Sequence, residues 1–576
     1  MDNLRLVLVM TLVFISLLLY QAWQADYGPK PGIVPPTSRT GPAGPTVTTP
    51  GQTQTDTPVV SAPGSTDLPV TQAQTDNLLQ TAGRVTVDTD LLRLEIDLQG
   101  GDVRRADLLQ YPLVIDKPEE PVRLLDDQLP HLFVMQSGLL SDTLAPTHQS
   151  RFTAEQTQYR LAAGAEQLEV RLHWQAPADS PAAGLQVTKI YRFKRGSYAI
   201  DLDYEVSNQG ATPWSGRLYG QLQRTSTSNM PSSYFIYTFL GGAIASPETR
   251  YQKIAFDKMQ KLGANGHVGP DGTLYPAAQA GWVGGWVAML QHYFVASLIP
   301  VDDQPYQYYT KTLGQGQGDV RYALGLYGQP VTAAAGQQAR LSFRFYVGPK
   351  LQDNLAAVAP GLELTVDYGY LWFIAQPLFA LLEFIHKLLG NWGWSIIILT
   401  VLIKLAFFHL SATSYKSMAN MRRIQPRLVS LKERYADDRA GLNQAMMDLY
   451  KKEKINPLGG CLPILIQIPV FISLYWVLLE SVEMRQAPFM LWLSNLSAPD
   501  PYFILPLIMG ATMVIQNKLN PAPVDPVQQK VMMMLPLMFT VFFAFFPVGL
   551  VLYWTVNNIL SIAQQWYITN KIAPNT

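Results

Sequence analysis

Cysteine is almost missing. Cys461 stands alone among 576 residues, so no intrachain disulfide is available and any exported part must hold together by its own core. Charge is scarce as well: Asp, Glu, Lys and Arg make up 15% of the chain, against about a quarter in soluble domains, which argues against a protein that is soluble throughout. Basic and acidic residues balance at 43 each, so no global charge marks a nucleic-acid binder, and no specific nucleic-acid recognition is expected. There is no His-Glu-x-x-His, no Gly-x-Ser-x-Gly and no Gly-x-x-x-x-Gly-Lys-Ser/Thr. The seven histidines, His131, His148, His173, His267, His292, His386 and His409, lack metal-ligand spacing. Gly314-Gln-Gly-Gln-Gly318 follows no clear strand and opens no helix, so it reads as a loop. Leu458-Gly-Gly-Cys461 mimics a lipidation box, but such a box works only behind an amino-terminal export signal. No cofactor, metal or catalytic site is expected.

What is present is unevenly distributed. Leu6 to Trp23 is apolar apart from Gln21, follows Arg5 and lacks a small-x-small cleavage site before Asp26. Residues 1–24 therefore read as an uncleaved transmembrane anchor rather than a signal peptide, with the amino terminus in the cytoplasm. Residues 25–82 are Pro, Thr, Gly and Gln with hardly an aromatic, the composition of a disordered tether. Over 83–350 the period becomes two, as in Leu92, Leu94, Ile96 and Leu98, in Leu168, Val170, Leu172 and Trp174, and in Leu341, Phe343, Phe345 and Val347. That pattern predicts a large all-β sandwich outside the cytoplasmic membrane.

Residues 351–390 read as a linker and an interfacial amphipathic helix, because Pro377, Glu383, His386 and Lys387 make a poor span. Transmembrane helices are expected at 391–411, 460–480, 502–516, 531–547 and 549–569, which with the anchor gives six spans. Between them lie a basic helical hairpin (412–459), an external loop (481–501), an inner loop (517–530) and a short tail (570–576). Charge agrees: Ser411 to Pro457 carries ten Lys or Arg against five acids, whereas Glu480 to Pro501 has only Arg485 against three acids. The first segment belongs in the cytoplasm and the second outside.

Lys404 is the sharpest feature. A cation deep in a span costs roughly 2.5–3.5 kcal/mol, although a lysine near the inner leaflet can also snorkel to the headgroups. Thr400 lies one turn away, Gln467 sits in the third span, and the sixth carries Trp554, Asn557, Asn558, Ser561, Gln564 and Gln565. Positions 554, 558, 561 and 565 form a polar stripe, which either glues helices or lines a wet cavity. No acid within the spans neutralises Lys404, which favours the cavity. The fourth and fifth spans are short, about 21 and 24 Å by helix rise, which thins the bilayer locally. The fifth span also offers a Met and Phe run, either core packing or an adaptable apolar face.

Five runs stand in a telling order: Gln376-Pro377-Leu378, Gly390-Asn391-Trp392-Gly393, Asn456-Pro457-Leu458-Gly459-Gly460-Cys461, Arg485-Gln486-Ala487-Pro488-Phe489 and Pro547-Val-Gly-Leu-Val-Leu-Tyr553. With them the chain resembles the YidC-type membrane protein insertases of Gram-negative inner membranes, by motif from Asp367 to Ile568 and by layout before that. The resemblance implies a five-helix core with a hydrophilic groove open to cytoplasm and lipid but closed outside. The groove residues it implies are Lys404, Thr400, Gln467, Tyr553, Trp554, Asn557 and Ser561. Many relatives have arginine at the position of Lys404, some have tyrosine at that of Trp554, and many end in a longer basic tail.

On this reading nascent membrane proteins are the substrates, inserted alone or with the Sec translocon. Met534, Met538 and Phe542 form a slide for the incoming helix. Arg422, Arg423, Arg427, Lys451 and Lys452 offer hairpin contacts to the ribosome, targeting factors or lipid. The competing readings are a small-solute transporter with an external binding domain and a sugar-binding envelope protein. The transporter reading suffers from the missing inverted repeat.

Overall fold

The computed structural model describes residues 57–58, 79–229, 238–263, 266–275, 279–314, 320–435, 438–453, 462–520 and 526–572. The expected anchor, nearly all of the tether, the 456–461 run and the glycine-rich stretch after Gly314 lie outside them.

Among the described residues, two sheets build the domain expected over 83–350, one of 13 strands and one of 9. The alternation that predicts its strands also makes its core. In Leu92–Asp97, Leu92, Leu94 and Ile96 are buried while Arg93 is exposed. In Gln338–Pro349, Leu341, Phe343 and Phe345 point inward, and the alternate Arg340 and Arg344 pair across the ladder with Asp203 and Asp201.

One ionic contact crosses between the sheets at full burial. Lys189, on Leu185–Lys194 of the smaller sheet, donates to Asp102 Oδ1 at 3.1 Å and to the Gly100 carbonyl at 2.9 Å. Asp102 also accepts from the Ser137 backbone N–H at 3.1 Å. Burial pushes the Lys189 ammonium below its usual range, and the Asp102 carboxylate opposes that shift. The turn that presents these groups needs glycine. Gly100 has φ +82°, and a Cβ there would lie 2.4 Å from the His148 carbonyl oxygen.

Two short helices, α1 (Phe256–Leu262) and α2 (Gln352–Val358), belong to the β domain and its exit. The rest is helical: α3 (Trp372–Leu389), α4 (Trp392–Ala406), α5 (Phe408–Arg434), α6 (Arg439–Lys452), α7 (Leu462–Glu480), α8 (Ile504–Leu519), α9 (Pro526–Phe543) and α10 (Val548–Tyr567). Gly390 in the left-handed region ends α3, and the Asn391 side chain then caps α4 by accepting from the Trp394 N–H at 3.1 Å. The α10 helix packs on α4 and α8, α9 on α8, and α3 on both α4 and α7.

Several helix ends differ from expectation. The α4 helix stops at Ala406 rather than 411, because the chain bends by 68° at Phe407 into α5. The α8 helix runs on to Leu519, and α9 begins at Pro526, where a residue without an N–H costs nothing in the first turn, and ends at Phe543. Among the described residues, Gly369–Leu389 is long and apolar enough to cross a membrane, as is the bent pair of α4 and α5. Ile466–Glu480, Ile504–Leu519 and Gln529–Phe543 are apolar but shorter. A helix expected to lie in the interface thus has the length of a span, and the 16-residue α8, an expected span, falls below it.

The β domain rests directly on the carboxyl-terminal end of α7. His292 is held neutral there, its pKa pushed down to about 3 by burial, with Lys350 and Arg485 adding repulsion. As the Nε2–H tautomer it donates to the Leu479 carbonyl at 3.0 Å, satisfying one of the last acceptors of the helix. A depressed histidine pKa costs stability as pH falls. Below about 6.5 the unfolded chain binds a proton that the folded chain refuses. Between pH 7.5 and 5.5 the wild type is expected to lose about 1 kcal/mol more than His292→Gln, which keeps a donor but does not titrate. Thermal unfolding of both proteins at the two pH values checks this.

Candidate functional site

The bend at Phe407 makes the site. Because α5 leaves α4 at a steep angle, its first turns pass beneath the helical core instead of running away from it. Ser411, Ser414, Tyr415 and Met418 of α5 thereby close one side of a cavity of about 340 Å³, and α4, α7, α8 and α10, with Met532 of α9, supply the other walls. Lys404 donates to Ser561 Oγ at 2.7 Å, and the Ser561 hydroxyl donates in turn to the Asn557 carbonyl at 2.7 Å. Gln467 donates to the Asn557 side-chain oxygen at 2.5 Å. This polar relay joins α4, α10 and α7. Among the described residues no carboxylate lines the cavity, so the ammonium is met by neutral dipoles alone and remains available to an incoming anion.

Six of the seven expected groove residues, Lys404, Gln467, Tyr553, Trp554, Asn557 and Ser561, line this cavity. Thr400 does not. It is 1% exposed, and its hydroxyl donates to the Ile396 carbonyl at 2.6 Å, four residues back on its own helix. One turn above Lys404 the helices have already closed together. Trp554 forms an aromatic wall, edge-on to Phe471 at 4.5 Å and against Phe543 at 5.2 Å.

The stripe at 554, 558, 561 and 565 divides its work. Trp554 and Ser561 face the cavity, as does Asn558, which also donates to Thr512 Oγ1 at 3.2 Å. Gln565 donates to the Leu519 carbonyl at 3.0 Å. One helix thus both lines the cavity and packs on α8.

Met534, Met538 and Phe542 belong to a different surface. With Leu537, Val541 and Phe545 they line a wholly apolar depression of about 630 Å³ on α9. Met532 is the methionine of that run that reaches the polar cavity. On the hairpin, Arg422 donates to the Lys518 carbonyl at 2.9 Å and so covers a free acceptor at the end of α8. Arg423 and Arg427 hold Glu453 across the hairpin, around a small core of Ile424 and Leu428. Lys451 and Lys452 are exposed. Asp438, between α5 and α6, caps α6 by accepting from the Gly441 N–H at 2.9 Å.

Sequence reasoning missed the α5 contribution and that of Gln516 and Asn517 on α8. A signal was available. Ser411, Ser414, Tyr415 and Met418 follow the i, i+3, i+4, i+7 spacing of one helix face, masked by the assumption that the segment after the span is solvated.

Comparison with known proteins settles the family. Residues 84–381 match the family described as YidC periplasmic domain, and residues 384–575 that described as 60Kd inner membrane protein. The membrane protein insertase YidC of Thioalkalivibrio sulfidiphilus is 49% identical over 582 residues, covering 99% of each chain. That of Methylococcus capsulatus is 50% identical over 579 residues, covering 100% of this chain and 99% of its own. The chain belongs to the YidC family of membrane protein insertases. It is accordingly an inner-membrane insertase whose β domain is periplasmic, and the transporter and sugar-binding readings give way. The two family matches meet inside α3, where the β domain hands over to the helical half.

Proposed function

We propose that the cavity between α4, α5, α7, α8 and α10 is the substrate groove of this insertase, and that it opens to the cytoplasm. The observation that carries this reading is the relay from Lys404 through Ser561 and Asn557 to Gln467, a cation and dipoles without a counter-charge. Hydrated polar walls lower the cost of bringing a substrate's short hydrophilic segment part-way across, and Lys404 draws acids in that segment. Short helices reduce what remains: the 16 residues of α8 rise about 24 Å against a hydrocarbon core of about 30 Å. The apolar depression on α9 receives the incoming helix, whose burial in lipid drives the step.

The topology that fits has six spans, with both termini and the α5–α6 hairpin in the cytoplasm. The α3 helix lies in the interface: Trp372, Phe373, Phe384 and Leu388 are exposed on one side, and Glu383 pairs with Lys387 at 2.9 Å. Lys451 and Lys452 at the free face of the hairpin are the docking points for the ribosome, targeting factors or anionic lipid. The Sec translocon is a partner of the insertase.

Reconstitution tests the reading. Purified full-length protein in liposomes, without nucleotide, is expected to insert a single-span substrate bearing a short acidic translocated segment, and to insert its lysine-substituted version poorly. Insertion no better than into empty liposomes overturns it.

A further inference from the structure

Three of the runs that carry the family resemblance meet away from the groove, at the opposite end of α4 from Lys404. They meet on the loop between α7 and α8. Asn391 donates from its side chain to the Phe489 carbonyl at 3.1 Å, and the ring of Phe489 covers Gly393, where a Cβ would lie 2.0 Å from Phe489 Cδ2. The Gly549 N–H donates to the Leu496 carbonyl at 2.8 Å, and the Leu496 N–H to the Ala487 carbonyl at 2.9 Å. One loop therefore braces the first turns of α4 and α10.

The same loop holds the β domain. Arg485 Nη2 donates to the Pro112 carbonyl at 2.7 Å and to that of Leu113 at 3.3 Å, with its guanidinium 5.6 Å from the ring centre of Phe294. Gln486 Nε2 reaches the same two carbonyls at 3.1 and 3.4 Å, from a backbone held at φ +56°. Left-handed φ is unfavourable for a side chain of this size, and the Asn495 side chain supports it by accepting from the Gln486 N–H at 3.1 Å. Pro112 closes the strand Asp102–Pro112 opposite Pro121, which has no N–H to give, and the Glu120 N–H turns to the Lys117 carbonyl instead of Leu113, so both carbonyls need other donors.

We propose that the α7–α8 loop is a docking receptor for the chain's own β domain, and that this contact couples the pose of the domain to the closure of the groove's periplasmic end. Arg485 and Gln486 are its grip. Five donors in a fixed fork suit Arg485 to two adjacent carbonyls over an aromatic ring. Because the loop also braces α4 and α10, releasing the domain loosens the closed end. The docking half stands without the groove reading, and the coupling half rests on it.

The test uses the full-length protein with Cys461→Ser, in nanodiscs. Spin labels on Asp116→Cys, at the tip of the gripped hairpin, and on Leu491→Cys, exposed on the loop, report the distance between domain and loop. A narrow distribution is expected, broadened by Gln486→Glu, which sets a carboxylate against two carbonyls, and by Phe294→Leu from the domain side. A distribution unchanged in both variants overturns the docking. For the coupling, Ser395→Cys, fully buried near the start of α4, is labelled with an impermeant maleimide in spheroplasts, which present only the periplasmic face. Gln486→Glu is expected to speed labelling about tenfold through local opening. A broadened distance with unchanged labelling overturns the coupling and leaves the groove reading untouched.

Discussion

Lys404→Ala is expected to lower insertion of a substrate with an acidic translocated segment at least about tenfold, or ~1.4 kcal/mol of transition-state free energy, while Lys404→Arg retains most activity. The ammonium has the Ser561 hydroxyl as its hydrogen-bond partner, and among the described residues no carboxylate shares the cavity. Alanine leaves a polar but uncharged groove that no longer draws an anion. Arginine keeps the charge and adds donors that also suit Ser561 and Asn557. A substrate with a neutral translocated segment separates charge from folding, since it should lose far less. Rescue of insertase-depleted cells, with protease accessibility of a pulse-labelled substrate, measures both. A lysine that merely snorkels predicts no loss in either variant, and full rescue by alanine would therefore contradict the groove assignment.

Lys189→Met should cost the β domain about 3–5 kcal/mol, because it takes the close cation from Asp102, a buried carboxylate between two sheets. The Ser137 N–H remains as its close donor, with the Arg104 guanidinium farther off at 3.9 Å from Oδ2. Three rings, Phe152, Tyr191 and Tyr204, surround the lost ammonium at 5.4 to 5.9 Å and admit no ready replacement. Adding Asp102→Leu should recover only part of the loss, since it removes the carboxylate that also faces the buried Arg104 guanidinium at 3.9 Å. Thermal unfolding of the single and double variants reads this. A loss below about 1 kcal/mol in the single variant would mean that water reaches Asp102 and that the pair is not sealed.

The period of two made the β domain legible, because Leu92, Leu94 and Ile96 must share a face whatever the rest of the chain does. Lys404 was legible for a similar reason: a cation in an apolar run carries a cost that demands an answer. Thr400 misled because helical phase places it on the same side as Lys404 but says nothing about height, and the cavity has closed one turn up. The bend at Phe407 carries no proline or glycine, so neither the early end of α4 nor the return of Ser411, Ser414 and Tyr415 to the site was marked. The stripe on α10 gave its face but not its partners. Whether Gln565 meets water or the end of α8 depends on a neighbour forty-odd residues away in sequence.

The central claim is that substrate passes through the cavity lined by Gln467, Asn557 and Ser561. A photocrosslinking residue placed in turn at positions 467, 538 and 400 of the full-length protein, with a ribosome-arrested nascent membrane protein, tests it most directly. Adducts are expected from 467, in the polar cavity, and from 538, on the apolar depression, and none from 400, which is packed away. No adduct from 467 in a folded protein, or an equal adduct from 400, would contradict it.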